Sequence, residues 1–512
     1  MDHFKMDRAR LARNSMWLVI GVILMILPMV GFCTESDQEA VTLETSGPVT
    51  GAIPMTLPEA VLLAVRNNIG LRNAYLGGVL DKYQLWVSEG KFVPKGEINM
   101  GVNRSRTRAP DKDASVQDSF TLQPQLIWKA PTGADFRFTW NAQGSRGNML
   151  HESGSADLGV TVTQPLLKGG GVSINRISVE LARSRYESSR LGLRSTVSST
   201  IGEVIRTYRS LMLARGQLEI ERRALERARQ LVQTNREQIA AGRMARQDLI
   251  QAEADVASRE VALASSENNL DQTRLTLIGL LNLDSNIRIH PTEPIEVVDV
   301  EVDYERLLAI ALEQRPDYLQ ARLALDNSKL ELQLAENDSE WTLNLTASRG
   351  ITSRSERWID PLPRQPIGEG WSVGIDLIVP LFDRSQRERR VSAEVQQRQA
   401  ENSLTELRER IGREILNAMR DIEIQRRQVD LSRRSRELQE QQLAVEREKL
   451  NLGRSTNFQV VQFQNDLVNS QNAELNSMVS YLNALTSLDE TLGTTLETWR
   501  IEIADLPIPA GP

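Results

Sequence analysis

Cysteine, histidine and aromatic residues are scarce in this sequence, and each scarcity closes off a class of protein. The only cysteine in 512 residues is Cys33, so no intrachain disulfide braces the chain and no thiolate cluster can hold a metal. The three histidines, His3, His151 and His290, stand far apart and match no zinc-ligand spacing. Aromatics make up 5% of residues, which points away from large compact cores and toward long helices packed through Leu, Val, Ile and Ala. An excess of one charge is also missing. With 61 basic and 68 acidic side chains the net charge is −7, which gives neither a nucleic-acid footprint nor a polybasic membrane patch. Catalytic groupings are absent too: no nucleophile has a base and an orienting partner nearby in sequence, and the carboxylates alternate with arginines along helices. "KGGGVSIN" opens a helix but lacks the Lys-Ser/Thr ending of a phosphate loop. No enzyme activity, metal or cofactor is expected.

Long apolar runs are confined to the first 33 residues. There Lys5, Arg8, Arg10 and Arg13 precede "MWLVIGVILMILPMVGF", an export-signal pattern too short and too proline-broken for a spanning helix. Cys33 follows directly. Two readings stay open: acylation of Cys33 as a lipoprotein, or ordinary cleavage nearby, since Phe32 is bulky for a lipoprotein site. In either case the chain leaves the cytoplasm. No later segment reaches 18 continuous apolar residues, so any span in the mature chain must be built from β-strands.

What is present is a duplication. "AAGRMARQDLIQ" from Ala240 and "NLGRSTNFQVVQ" from Asn451 align at an offset of 211 residues (453 − 242), pairing Gly242 with Gly453 and Gln251 with Gln462. "LPEAVLLAVRNN" from Leu57 resembles "YERLLAIALEQR" from Tyr304, and "QPLLKGGG" from Gln164 resembles "VPLFDRSQ" from Val379. Three landmarks in one order argue for a repeat. The expected organisation is a signal over residues 1–33, a linker over 34–55, repeats over 56–283 and 304–499 joined by a connector over 284–303, and a Pro-rich tail over 500–512.

Each repeat reads as helix, strands, a very long helix, a glycine turn and a second long helix. From Ser173 to Ala240 an uninterrupted helix would run roughly 100 Å. Its seam of Val197, Ile201, Val204, Tyr208 and Leu211 alternates fours and threes. The second repeat does the same through Leu404, Leu407, Ile411, Ile415, Ala418, Ile422 and Val429, which is coiled-coil spacing. The Arg/Glu-rich remainder reads as solvated or partner-facing surface.

Between the helices lie segments of period two. "FRFTWNAQ" puts Phe136, Phe138, Trp140 and Ala142 on one face and Arg137, Thr139, Asn141 and Gln143 on the other; "WTLNLTAS" and "WSVGIDLIVPL" alternate likewise, as do three runs around Met100, Leu122 and Val160. Each is long enough to cross a bilayer at a tilt, although a half-buried soluble sheet would alternate equally. Six strands cannot enclose a water-filled lumen in one chain, so a barrel needs several copies.

These residues resemble the TolC-like outer-membrane efflux proteins from Leu57 to about Trp499: the duplication, "AVLLAVRNN", the "PLLKGGG" and "PLFDRSQ" junctions, and the paired "AGR" and "LGR" turns. The resemblance implies a mostly α fold with a membrane β-barrel portion. Duplicated coiled-coil hairpins would form a trimeric periplasmic tunnel, and strands from three copies one outer-membrane barrel. It implies an exit duct for tripartite efflux or type I secretion, with a periplasmic adaptor, an inner-membrane pump and outer-membrane lipid as partners and no nucleic acid. Adaptor docking would fall on the tips, Gly242, Arg243, Met244 and Ala245 with Gly453, Arg454, Ser455 and Thr456, and the periplasmic entrance at Asp248, Gln459 and Gln462. The residues alone also allow two plain turns, and a periplasmic coiled-coil scaffold without a pore. Two departures stand out. The family pattern has two strands in each half, whereas the first half here offers four, the extra pair either enlarging the barrel or extending beyond it. Gln459 and Gln462 occupy positions where relatives often carry aspartates.

Overall fold

A computed structural model describes residues 53–502 except 109–112, 149–150, 243, 301–302 and 359–365. The expected signal, Cys33 and Arg243 lie outside the described residues.

Both repeats open on a pair of helices broken at one residue. In the first, Thr56 precedes α1 (Leu57–Asn67), with its backbone N–H donating to Glu59 Oε2 at 2.8 Å and Pro58 in the first turn. Asn68 ends α1 and caps α2 (Ile69–Glu89), its side chain accepting from Leu71 N at 3.2 Å. In the second, Asp303 caps α5 (Tyr304–Gln314), and Pro316 forces the break before α6 (Pro316–Asp338). A continuous helix at "AVLLAVRNNIGLRNA" is therefore interrupted, because the Asn68 side chain competes for the backbone.

The long helices are α3 (Val172–Ala240), 69 residues, and α7 (Ser385–Asn451), 67 residues. Each turns back into a 36-residue helix, α4 (Arg246–Leu281) or α8 (Asn457–Leu492). A single turn, α9 (Thr495–Thr498), follows α8. Laterally α4 packs on α3, α3 on α8, and α8 on α7, so α4 and α7 are the outer members of the row. The seam of α3 is buried as its spacing requires, with Ile201, Val204 and Tyr208 fully enclosed beside Leu277 and Leu281 of α4. Along α7, Ile411, Ile415 and Val429 are fully buried against Tyr481 and Leu488, while Leu404 and Ala418 are only half-buried. The two buried tyrosines each tie down an irregular segment: Tyr208 Oη donates to Met55 O at 2.8 Å and Tyr481 Oη to Val298 O at 2.6 Å.

The end of the expected linker and the connector are not structureless. β1 (Ile53–Met55) and β6 (Ile289–Pro291) pair in parallel, from Ile53↔Ile289 to Met55↔Pro291. Three-residue strands carry no readable period, so only this long-range pairing reveals them.

The main sheet has six antiparallel strands in the order β2-β3-β4-β5-β7-β8: β2 (Lys95–Thr107), β3 (Ser115–Lys129), β4 (Asp135–Gly147), β5 (Ser153–Pro165), β7 (Thr342–Ser355) and β8 (Pro366–Ile378). Its register gives one mainly apolar and one mainly polar face, with the Arg349–Glu369 pair an exception on the apolar side. Ile98, Leu122, Phe138, Val160, Leu345 and Ile375 share one face; Asn99, Gln123, Thr139, Thr161, Thr346 and Gly374 share the other. The apolar face folds over a cleft of 760 Å³ lined by Ile98, Leu126, Phe138, Trp140, Leu158 and Ile351. On the same sheet, Trp358 packs edge-on to Phe120 at 6.0 Å and lies 3.9 Å from the Arg146 guanidinium. The outermost strands, β2 and β8, are exposed along their whole length. Among the described residues no helix is long and apolar enough to cross a membrane.

Candidate functional site: the paired hairpin tips

The helix α7 ends in a left-handed residue. Gly453 has φ +72°, its N–H donates to Leu450 O at 3.0 Å, and the next N–H, of Arg454, reaches back to Lys449 O at 2.8 Å. This is the paired-bond closure that satisfies terminal carbonyls and reverses the chain. Gly242 closes α3 in the same conformation, φ +73°, with its N–H on Ile239 O at 2.9 Å. The restarts differ. Thr456 caps α8 through its hydroxyl, which accepts from Gln459 N at 3.4 Å, whereas Ala245 offers α4 no side-chain cap and Asp248 instead places negative charge in the first turn.

The two tips are in contact. Asn457, almost wholly buried, donates from Nδ2 to Asp248 O at 3.3 Å and approaches Met244 Sδ at 3.5 Å. Beneath them Leu231, Val232, Ala252, Leu443, Leu450, Val460 and Leu467 form one core drawn from all four helices. Ser455 is held inside its own turn: its hydroxyl donates to Glu446 Oε1 at 2.5 Å and lies 3.0 Å from Gln459 Oε1. Hydrogen bonds from Ser455 and then Lys449 hold the Glu446 carboxyl below the usual glutamate range.

Of the residues singled out from sequence, Gly242, Ala245, Gly453, Arg454, Thr456, Gln459 and Gln462 are exposed, while Met244, Ser455 and Asp248 are half-buried. Acids do lie near this end, one turn away from the aligned positions: Gln462 Nε2 donates to Asp466 Oδ1 at 3.0 Å, and Glu446 sits behind Ser455. Sequence reading missed the apolar members. Ile250, Leu452 and Phe458 are 69%, 64% and 64% exposed at the tips, where each completes no seam of its own hairpin. Phe458 follows a buried Asn at a helix start, and that offset was the available signal.

Further from the tips, the boundary between the two hairpins includes buried charged and polar side chains, where the sequence pattern predicts solvated or partner-facing surface. Arg259 of α4 is buried beside Glu221 of α3 (3.5 Å) and Asp255 (3.8 Å), and it donates to Asn465 of α8. Asn235, Gln464 and Asp255 each keep at least one buried side-chain atom without a protein partner. Burial pushes the Asp255 carboxyl up, against the pull of Arg259, and depresses the Arg227 guanidinium, which also feels Arg447. Polar and charged side chains are thus enclosed where α3, α4 and α8 meet, whereas nearer the tips the two hairpins share an apolar core. Among the described residues no group of His, Cys, Asp and Glu is arranged to hold a metal ion.

A family model described as outer membrane efflux protein matches residues 133–283 and 307–494, one segment in each repeat. Similar solved structures include the CmeC outer membrane channel of Campylobacter jejuni, at 18% identity and TM-score 0.65 over 85% of both chains. VceC, an outer membrane protein of Vibrio cholerae, is 15% identical with TM-score 0.63 over 85% of this chain and 96% of that one. The open state of the MtrE outer membrane channel of Neisseria gonorrhoeae is 16% identical with TM-score 0.63, covering 85% and 88%. No curated protein sequence matches. The long-helix hairpins and amphipathic sheet are the shared fold, and with the family model spanning both repeats the chain belongs to the outer membrane efflux protein family.

Proposed function

We propose that three copies of this chain form the exit duct of an export machine, their sheets closing one barrel in the outer membrane and their hairpins one tunnel beneath it. The observation that supports this most directly is that the chain ends unmatched at both levels, with the first repeat on one side and the second on the other. In the sheet, β2 and β8 are open edges running in opposite directions, so β8 of one copy can pair antiparallel with β2 of the next. In the helical row, the outward face of α7 carries Ile424, Leu431, Leu438, Val445 and Leu452, seven residues apart and each more than half exposed. The outward face of α4 carries Ile250, Ala254, Ala257, Val261 and Ala264, exposed and spaced by fours and threes. Large side chains on one stripe and small ones on the other suit coiled-coil packing between neighbours. The apolar face of the sheet, folded over its own cleft in the single chain, would turn outward to lipid in the barrel.

In this reading the duct conducts passively, fed by an inner-membrane pump through a periplasmic adaptor that docks on the tips. The exposed Arg454, Thr456 and Phe458 supply charge, polarity and apolar area for that contact. The entrance is lined at Asp248, Gln459 and Gln462. Opening it is a population shift driven by an adaptor that binds the open state better. Reconstitution in planar bilayers tests the proposal: discrete conductance steps from a trimer are expected. A chain that fractionates as a soluble monomer without steps would instead be a periplasmic scaffold.

A further inference from the structure

We infer that the β3–β4 hairpin is part of the barrel wall, so that three copies close an eighteen-stranded barrel wider than four strands per copy would give. The inference rests on the trimeric duct proposed above. Its first support is register. β3 pairs with β2 from Lys95↔Ile127 to Thr107↔Ser115, and β4 with β5 from Asp135↔Thr163 to Ser145↔Ser153, so both added strands span the same height as their neighbours. The β3–β4 ladder skips only around Pro124, which has no N–H to give.

The second support is facing. Leu122, Leu126 and Trp128 of β3, with Phe136, Phe138 and Trp140 of β4, continue the apolar band of β2 and β5. On the opposite face Gln123 donates to Asn141 at 2.9 Å and Gln125 to Glu97 at 2.7 Å, a polar lining carried across three strands. A projection into water has no use for a continuous apolar band, whereas a barrel wall requires one.

The third support is anchorage. The turn between β3 and β4 is seated on the junction where β5 passes into α3: Gly171 N–H donates to Thr132 O at 3.1 Å and Gln164 Nε2 to the same oxygen at 3.3 Å. Gly133 takes φ +94°, and a Cβ there would lie 2.4 Å from Gly169 O. The hairpin therefore reaches down to the helical end of the sheet. Two added strands also preserve alternation, leaving β2 and β8 antiparallel at the seam between copies. With strands about 4.8 Å apart and tilted about 40°, eighteen strands give a backbone diameter of about 36 Å against about 24 Å for twelve.

Variants L126C, F138C, Q123C and T139C, each adding one cysteine to the parent's Cys33, with the parent itself as the labelling background, test this in outer membranes with a membrane-impermeant maleimide. Labelling is expected at 123 and 139 and its loss at 126 and 138, restored when the membrane is dissolved in denaturing detergent. Equal labelling of all four in intact membranes overturns the wide barrel. A bifunctional crosslinker on the same membranes separates the two claims: a trimer band with equal labelling refutes the eighteen strands alone, whereas no trimer band removes the duct reading itself.

Discussion

Replacing Gly453 by Val tests whether the second tip is held by backbone conformation alone. At φ +72° any side chain is strained, and a Cβ at this position would meet nothing within 4 Å, so no clash adds to the backbone effect. The left-handed region costs an L-residue about 1–2 kcal/mol, with a β-branched one at the upper end. Two hydrogen bonds depend on that conformation, Gly453 N to Leu450 O and Arg454 N to Lys449 O. Local opening of the turn should therefore become about 5–30-fold more frequent. Hydrogen exchange at the Arg454 amide reads this directly. Gly453→Asn should show a much smaller increase, because Asn enters the left-handed region readily. Unchanged exchange in the Val variant, or equal acceleration by Asn and Val, would refute the reasoning. The global unfolding midpoint should hardly move, since the packed seams of α7 and α8 run on for many turns beyond the tip.

Asp255→Asn should stabilise the bundle at neutral pH. The folded carboxyl has its pKa raised by burial, so its contribution to stability is greatest below the unfolded value and is lost as pH rises through the folded one. The advantage of the variant should vanish below about pH 4, near the unfolded pKa; a parent at least as stable as the variant at pH 7, by denaturant titration, would contradict this. Phe458→Ser and Arg454→Glu should each weaken adaptor binding without dispersing the trimer. The Phe change should do so about tenfold or more if its ring is covered on docking, and export that survives both with an intact trimer removes the docking assignment. Ile411→Ala, at a fully buried site, should cost about 2–5 kcal/mol in chemical unfolding, whereas Leu416→Ala, half exposed on the same helix, should stay within about 0.5 kcal/mol.

Much of the architecture is written in local periods. The seam through Val197, Ile201 and Val204 specifies a helix whose first residue, Val172, lies one position from the expected start, and period two assigns all six long strands. Both signals need only neighbouring residues. Features that depend on meetings between distant segments were not legible. Arg259, Asp255 and Glu221 look like any solvated charges in sequence, yet α3, α4 and α8 enclose them. β1 meets β6 across 236 residues of sequence (289 − 53), with Tyr208 Oη also bound to Met55 O. Gly242 and Gly453 were readable as turns, but the contact of Asn457 with Asp248 shows that the two turns form one tip. Whether the extra strands joined the sheet was open in the sequence, because alternation does not name a partner strand.

The polar boundary between the hairpins has a consequence for how easily they part. Pulling apart an apolar seam exposes hydrocarbon to water, and the cost grows with every square ångström. Pulling apart Asn235, Asp255, Arg259 and Gln464 exposes polar and charged groups that water solvates, so hydration offsets part of the lost contacts. Where these polar groups meet, parting the two hairpins therefore costs less per unit area than parting the apolar core they share nearer the tips.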